Sequence, residues 1–159
     1  MTIFVDLDGV MADFDRHYAE TIAPLPDRWR TDYDHDAKDE VDWARIDKQA
    51  FYLTMPMMHD AMMLWDYLNR HNPTILTGVP KIGREKAADN KRAWVRNNLG
   101  THVPIITCPS REKSLHASPG DVLIDDWEKY MGLWLRAGGV WVTHTSAKDT
   151  IGKLMEMGI

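Results

Sequence analysis

Five short apolar runs punctuate this chain, and most are followed by a longer stretch whose apolar residues recur at helical spacing. Short apolar runs bounded by turn residues read as buried strands, and recurrence near 3.6 residues reads as helix. The pattern predicts strands at Thr2–Asp6, Thr74–Thr77, Val103–Thr107, Asp121–Asp125 and Val140–His144. It predicts helices at Met11–Ile22, Ala61–Arg70, Arg84–Leu99, Lys129–Ala137 and Ala147–Met157, with Gly100 and Gly138 as stops. Strand alternating with helix argues for an α/β fold: a Rossmann-like, three-layer α/β/α parallel sheet with helices on both faces.

One stretch breaks the alternation. Pro24 to Gln49 is charged, carries Pro24 and Pro26, and contains Trp29, Tyr33 and Trp43. It reads as a small helical cap inserted after the first strand, within an insertion of about residues 15–60 of a single 159-residue domain. A solvated surface excursion is the competing reading.

The polar residues at the strand ends change the picture. Ile3-Phe4-Val5 runs into Asp6 and Asp8, Leu123-Ile124 into Asp125 and Asp126, and Thr74-Ile75-Leu76 into Thr77 and Gly78. Open α/β sheets place their ligands outside the carboxyl ends of their strands. Asp6 and Asp8 would repel each other, and a divalent cation such as Mg²⁺ relieves that repulsion because it prefers carboxylate oxygens and substrate phosphates. Gly9 lets the chain turn without a Cβ in the way. Turn and helix-cap duties explain any one such pair of acids. They do not explain three decorated strand ends together with Lys113, in Pro109-Ser110-Arg111-Glu112-Lys113-Ser114.

In these residues, and in this order, the chain resembles the haloacid dehalogenase (HAD) superfamily of phosphohydrolases. A narrower likeness is to the 5′(3′)-deoxyribonucleotidase family. It is carried by DLDGVMADF from Asp6 to Phe14, FYLTMPMMHDA from Phe51 to Ala61, and NKRAWVRNNLG from Asn90 to Gly100. Arg16 to Gln49 departs from it, and the spacer from Lys113 to Asp125 is slightly longer, with Pro119-Gly120 as a turn that absorbs the difference. The resemblance implies an HAD-like fold with a cap and a Mg²⁺-dependent phosphomonoesterase whose substrate is a deoxyribonucleoside monophosphate.

Phosphate-monoester chemistry assigns the roles. Charge must be neutralised, an attacker held in line and the departing oxygen protonated. Asp6 is the expected nucleophile, through an aspartyl-phosphate, and Asp8 the expected general acid and later base. Thr77 and Gly78 are expected to hold phosphoryl oxygens. Lys113 is chosen from the nearby cations (Lys81, Arg84, Lys86, Lys91, Arg92 and Arg111) because it comes shortly before the Asp-Asp strand, and the family pattern agrees. The resemblance implies a metal held by Asp6, by Asp8 through its backbone carbonyl and by the Asp125–Asp126 pair, of which Asp126, or both, bind it directly. Phe14, Phe51 and Tyr52 are expected to stack on the base. For each ring alone, core packing explains it as well, and Trp94 reads as core.

Two alternatives stay open. One is a phosphatase for another small metabolite or for a nucleic-acid 3′-phosphate end. The other is a non-catalytic module that binds metal and phosphate, against which the presence of both Asp6 and Asp8 argues. The net charge of −5 argues against a general binder of duplex nucleic acid. Cys108, the sole cysteine, excludes an internal disulfide and suits a reducing cytoplasm. No apolar segment is long enough to span a bilayer, and the start of the chain has no signal-peptide pattern, so a cytoplasmic location is expected. The sequence does not fix the oligomeric state, a homodimer included. Met55, Met57, Met58, Met62 and Met63 read as flexible packing against the sheet, and His35 among Asp32, Asp34 and Asp36 as a charged loop.

Overall fold

Ile3–Val5 forms β1, the middle strand of a five-stranded parallel sheet in a computed structural model that describes residues 1–22 and 40–159. The others are β2 (Thr74–Gly78), β3 (Ile105–Cys108), β4 (Val122–Asp125) and β5 (Val140–Thr143), in the order β3-β2-β1-β4-β5. The chain builds outward from β1 to β3, then returns to the other side of β1. Phe4 is in register with Thr74 on one flank and with Leu123 on the other. Such a reversal leaves a crevice at the carboxyl ends of the central strands.

Alternation along the strands divides the apolar residues between two faces. Ile3, Val5, Ile75, Val122, Ile124 and Val142 join the larger core. They meet Leu64, Trp65 and Leu68 of α3 (Ala61–Leu68), Ala87, Trp94 and Val95 of α4 (Arg84–Asn98), and Ala147 and Leu154 of α6 (Ala147–Glu156). Phe4, Leu76, Cys108 and Leu123 face the other way, onto Trp134 of α5 (Met131–Arg136). The Phe4 and Trp134 rings meet edge to face, 5.6 Å apart. The three-layer α/β/α arrangement expected from the sequence is the one observed.

The first helix, α1, spans Phe14–Thr21 rather than starting at Met11. The amides of Met11 and Ala12 both donate to the Leu7 carbonyl, and Gly9 N–H donates to Ala12. This tight turn needs Gly9 at φ 76° and consumes the residues expected to open the helix. Asp13 caps α1 by accepting from Arg16 N–H at 3.2 Å. The expected helix at Lys129–Ala137 divides into a 3₁₀ turn, Glu128–Tyr130, and α5. A 3₁₀ segment at Ser110–His116 carries Lys113 and follows no periodicity visible in the sequence.

Within the inserted stretch, α2 spans Glu40–Lys48 and a 3₁₀ turn spans Phe51–Leu53. Pro24, Pro26, Trp29, Tyr33 and His35 with its neighbouring acids lie outside the described residues. Met55 is buried, but Met62 and Met63 are exposed on α3, so those two do not pack against the sheet as expected. Among the described residues no helix is long and apolar enough to cross a membrane.

Candidate active site

Asp6 leaves the end of β1 and Asp125 closes β4, its neighbour, with Asp6 N–H donating to Ile124 C=O at 2.9 Å. Both carboxylates are buried. Lys113 reaches between them from the 3₁₀ segment, its Nζ 2.9 Å from Asp6 Oδ1 and 2.7 Å from Asp125 Oδ2. Trp127 N–H donates to the other Asp125 oxygen at 2.9 Å. Asp126 completes an acidic set: one carboxylate oxygen each from Asp6, Asp125 and Asp126 lies within 4.8 Å of the others. A Cβ on Gly9 would run into the Asp126 carboxylate, so only glycine allows this approach.

The electrostatics are those of an unbalanced acidic pocket. Burial pushes Asp125 up to about 6, against Lys113 and with the help of Asp6. Desolvation, then the charges of Asp6 and Asp125, push Asp126 up to about 8. Burial works against the Lys113 ammonium, but Asp6 and Asp125 together raise it above its ordinary range. One ammonium does not offset three carboxylates. Asp6 Oδ1, though ion-paired, has no aligned hydrogen bond, and buried Asp8 Oδ1 has no hydrogen-bond partner. Hard oxygen donors, close spacing and excess negative charge fit Mg²⁺. The Asp8 side chain does not belong to this set.

Asp8 turns instead to Lys91, a residue of α4. Lys91 Nζ donates to Asp8 Oδ2 at 2.6 Å, to Thr77 Oγ1 at 3.0 Å and to the Gly78 carbonyl at 2.6 Å. Burial raises the Asp8 carboxyl above its ordinary value, Lys91 opposes this and Asp6 adds to it. Lys91 was only one of several cations in the sequence. The signal that marks it is its position: it shares the buried face of α4 with Ala87, Ala88, Trp94 and Val95. A charged residue on an apolar helix face is rarely buried without a paired partner. Trp94 is core, its indole donating to the Met55 carbonyl at 2.7 Å.

Asp6, Asp8, Gly78, Lys113, Asp125 and Asp126 line one cleft of about 780 Å³. Thr77 lies just beneath it, fully buried. A Cβ on Gly78 would run into Ser110 Oγ, so the end of β2 lies close against the 3₁₀ segment that carries Lys113. Phe14, Tyr52 and Trp43 form part of the cleft wall, and Trp127 and Tyr130 also line it. Phe51 is not on the wall. It is 1% exposed, with ring centroids 5.1 Å from Phe14, 5.3 Å from Tyr52 and 4.6 Å from His17. All three expected stacking rings belong to the buried core, but Phe14 and Tyr52 also line the cleft and Phe51 does not. Cys108 is buried, its thiol pushed up to about 11 by desolvation, as befits an apolar packing residue rather than a nucleophile.

No protein-family model matches the chain, and no curated protein matches it in sequence. Solved structures do match it along nearly the whole chain. It is similar to a HAD-superfamily hydrolase from Ehrlichia chaffeensis, at 12% identity over 99% of this chain and 97% of that one, with a TM-score of 0.58. A hydrolase from Streptococcus pneumoniae TIGR4 gives 12% identity, 99% and 98% coverage and a TM-score of 0.52. A hydrolase from Pseudomonas syringae gives 16%, 98% and 98%, and 0.50. At such identities the likeness concerns the backbone: the chain has an HAD-like fold.

Proposed function

We propose that this protein is a Mg²⁺-dependent phosphomonoesterase acting through an aspartyl-phosphate on Asp6, with a deoxyribonucleoside monophosphate as its preferred substrate. The HAD-like fold supports a phosphatase-type hydrolase. The observation that carries the reading is Lys113, buried between Asp6 and Asp125 with Asp126 beside them. The chain's residues then divide the work. Asp6 attacks phosphorus as the ester P–O bond breaks. Asp8, its carboxyl raised by burial, gives its proton to the departing oxygen and later takes one from the water that cleaves the acyl phosphate. Thr77, Gly78 and Lys113 bind the phosphoryl oxygens. Held by Asp6, Asp125 and Asp126, with the Asp8 carbonyl as a further ligand, Mg²⁺ would neutralise charge between the Asp6 carboxylate and the substrate's phosphate. The nucleotide preference rests on the sequence likeness and on the aromatic wall of Phe14 and Tyr52. Of the inserted stretch, α2 brings Trp43 to the same cleft, and we take it as part of a cap that shapes this end of the site.

A single-stranded nucleic-acid end bearing a 3′-phosphate is the second reading. Lys81, Arg84 and Arg111 line the same cleft, and Trp127 and Tyr130 offer a second aromatic surface. A phosphate-release screen separates the readings. It covers nucleoside 5′- and 3′-monophosphates, sugar phosphates and an oligonucleotide 3′-phosphate, with Mg²⁺ and with chelator. The expected result is fastest turnover of a deoxynucleotide, loss of activity in chelator, poor support by Ca²⁺ and almost no activity in Asp6→Asn. Ca²⁺ fails because it takes more ligands at longer distances. Full activity in excess chelator sinks the mechanism, and the absence of any phosphate release leaves a binding module.

A further inference from the structure

Lys91 is the most deeply buried cation in the described structure, at 1% exposure. An ammonium has three N–H donors and no acceptor. All three find acceptors at 2.6, 3.0 and 2.6 Å, and those acceptors belong to Asp8, Thr77 and Gly78. The Tyr52 ring closes the fourth side, 4.8 Å from Nζ. Stability alone does not account for this lysine. Replacing a buried ion pair with apolar groups of similar volume is often neutral or stabilising, and its helix neighbours Ala87, Ala88, Trp94 and Val95 already make an apolar face.

We infer that Lys91 is a positioning residue: it locks Asp8 and Thr77 together and thereby sets which atom of each faces the substrate. The inference rests on the phosphomonoesterase reading above. Thr77 Oγ1 accepts from Lys91, so its own proton is directed elsewhere, toward a phosphoryl oxygen. Asp8 Oδ2 is held by Lys91, and Oδ1, buried without a partner, is the oxygen left to meet the leaving group. One ammonium on α4 therefore couples the residue that serves the departing oxygen to the residue that grips the phosphate.

The test compares the wild-type enzyme with Lys91→Met on glycerol phosphate, whose alkoxide needs a proton to leave, and on p-nitrophenyl phosphate, whose phenolate does not. The expected loss in kcat on the alkyl ester is about 10²-fold, the scale for a misplaced reacting group. The expected loss on the aryl ester is about tenfold smaller, and KM rises on both because Thr77 is no longer oriented. In an Asp8→Asn background the same substitution should cost less than roughly threefold on the alkyl ester, since coupled residues do not add. Equal kcat losses on both esters, an unchanged KM or full additivity with Asp8→Asn overturns the assignment. Should Lys91→Met not give a cooperative melt, Lys91→Gln carries the same comparison. Failure of both to fold assigns Lys91 to the core and also overturns it. A wild-type protein inactive on both esters with Mg²⁺ sinks the phosphomonoesterase reading itself. An active wild type with uniform losses sinks only the role of Lys91.

Discussion

Gly9 sits at φ 76° with the Asp126 carboxylate against its Cα. Gly9→Ala therefore has two costs. The backbone conformation costs about 1–2 kcal/mol for a residue with a Cβ, and the new methyl must displace Asp126. We expect a lowered melting temperature together with a raised Mg²⁺ requirement. A merely local strain would lower the melting temperature and leave the Mg²⁺ titration of activity unchanged. The aromatic residues yield a second prediction. Phe51→Ala opens a core cavity costing about 3–5 kcal/mol, so melting temperature should fall and every substrate should suffer alike. Tyr52→Ala removes a ring that lines the cleft. Because the ring is buried and packs on Lys91, both substrates should lose activity, but nucleotide turnover should fall by a further factor of roughly 5 to 150 in kcat/KM relative to p-nitrophenyl phosphate. The sequence named Asp6, Asp8, Asp125 and Asp126 because strand ends in a parallel sheet converge by topology, and Lys113 from its place shortly before the Asp-Asp strand and from the family pattern. It did not single out Lys91 from the neighbouring cations, because its partners come from residues 8, 77 and 78, which only tertiary folding brings to α4.

At the scale of elements, the five strands were readable because each is a short apolar run, and their edges shifted by a residue or two. The turn from Leu7 to Ala12 and the 3₁₀ segment around Lys113 were not readable. Both are held by a few particular hydrogen bonds rather than by a periodic apolar face. The junction of β5 and α6 shows the same kind of local dependence and carries a pH prediction. His144 is buried at the end of β5, its Nδ1 2.8 Å from Thr150 Oγ1 on α6, with Asp60, Asp149 and Lys153 near it. Burial lowers its protonation constant below the ordinary 6.5, and the two aspartates only partly oppose this. The unfolded chain therefore binds the proton more readily than the folded one. The neutral ring's contribution to stability is present above about pH 6.5 and is lost as pH falls through the lower folded value. The raised carboxyls of Asp125 and Asp126 act in the opposite direction over this range, so the expected result is a difference: from pH 7 toward pH 5 the wild type should lose melting temperature relative to His144→Gln. A constant difference removes His144 from the account.

Over the whole molecule, a net charge of −5 coexists with a cationic lip on the cleft. Among the described residues Lys81 and Arg84 have no ion-pair partner, and Arg111 has only Glu112, at 3.7 Å. Clefts lined by one sign of charge raise the local concentration of a counter-ionic substrate. Neutralising all three with glutamine should raise KM about tenfold at low salt while sparing kcat. The difference should close near about 0.5 M salt, where exposed charges are screened. A KM insensitive both to the triple substitution and to salt removes the lip from substrate capture.

The pairing of β1 with β4 has a consequence for how the protein comes into being. Thr2 N–H donates to Asp121 at 2.6 Å, across 119 positions of sequence. On a ribosome, β1 emerges before β4 and acquires it as a neighbour only on the order of ten seconds later. Until then its apolar edge lies open, a hazard for sticking to other nascent chains. Asp6 meanwhile lacks Asp125 and Asp126. A fragment ending before Asp121 should therefore aggregate and bind no Mg²⁺, and should respond to chaperones that shield exposed strands. The proposed nucleophile is synthesised well before β4, and the site around it closes only when β4 arrives.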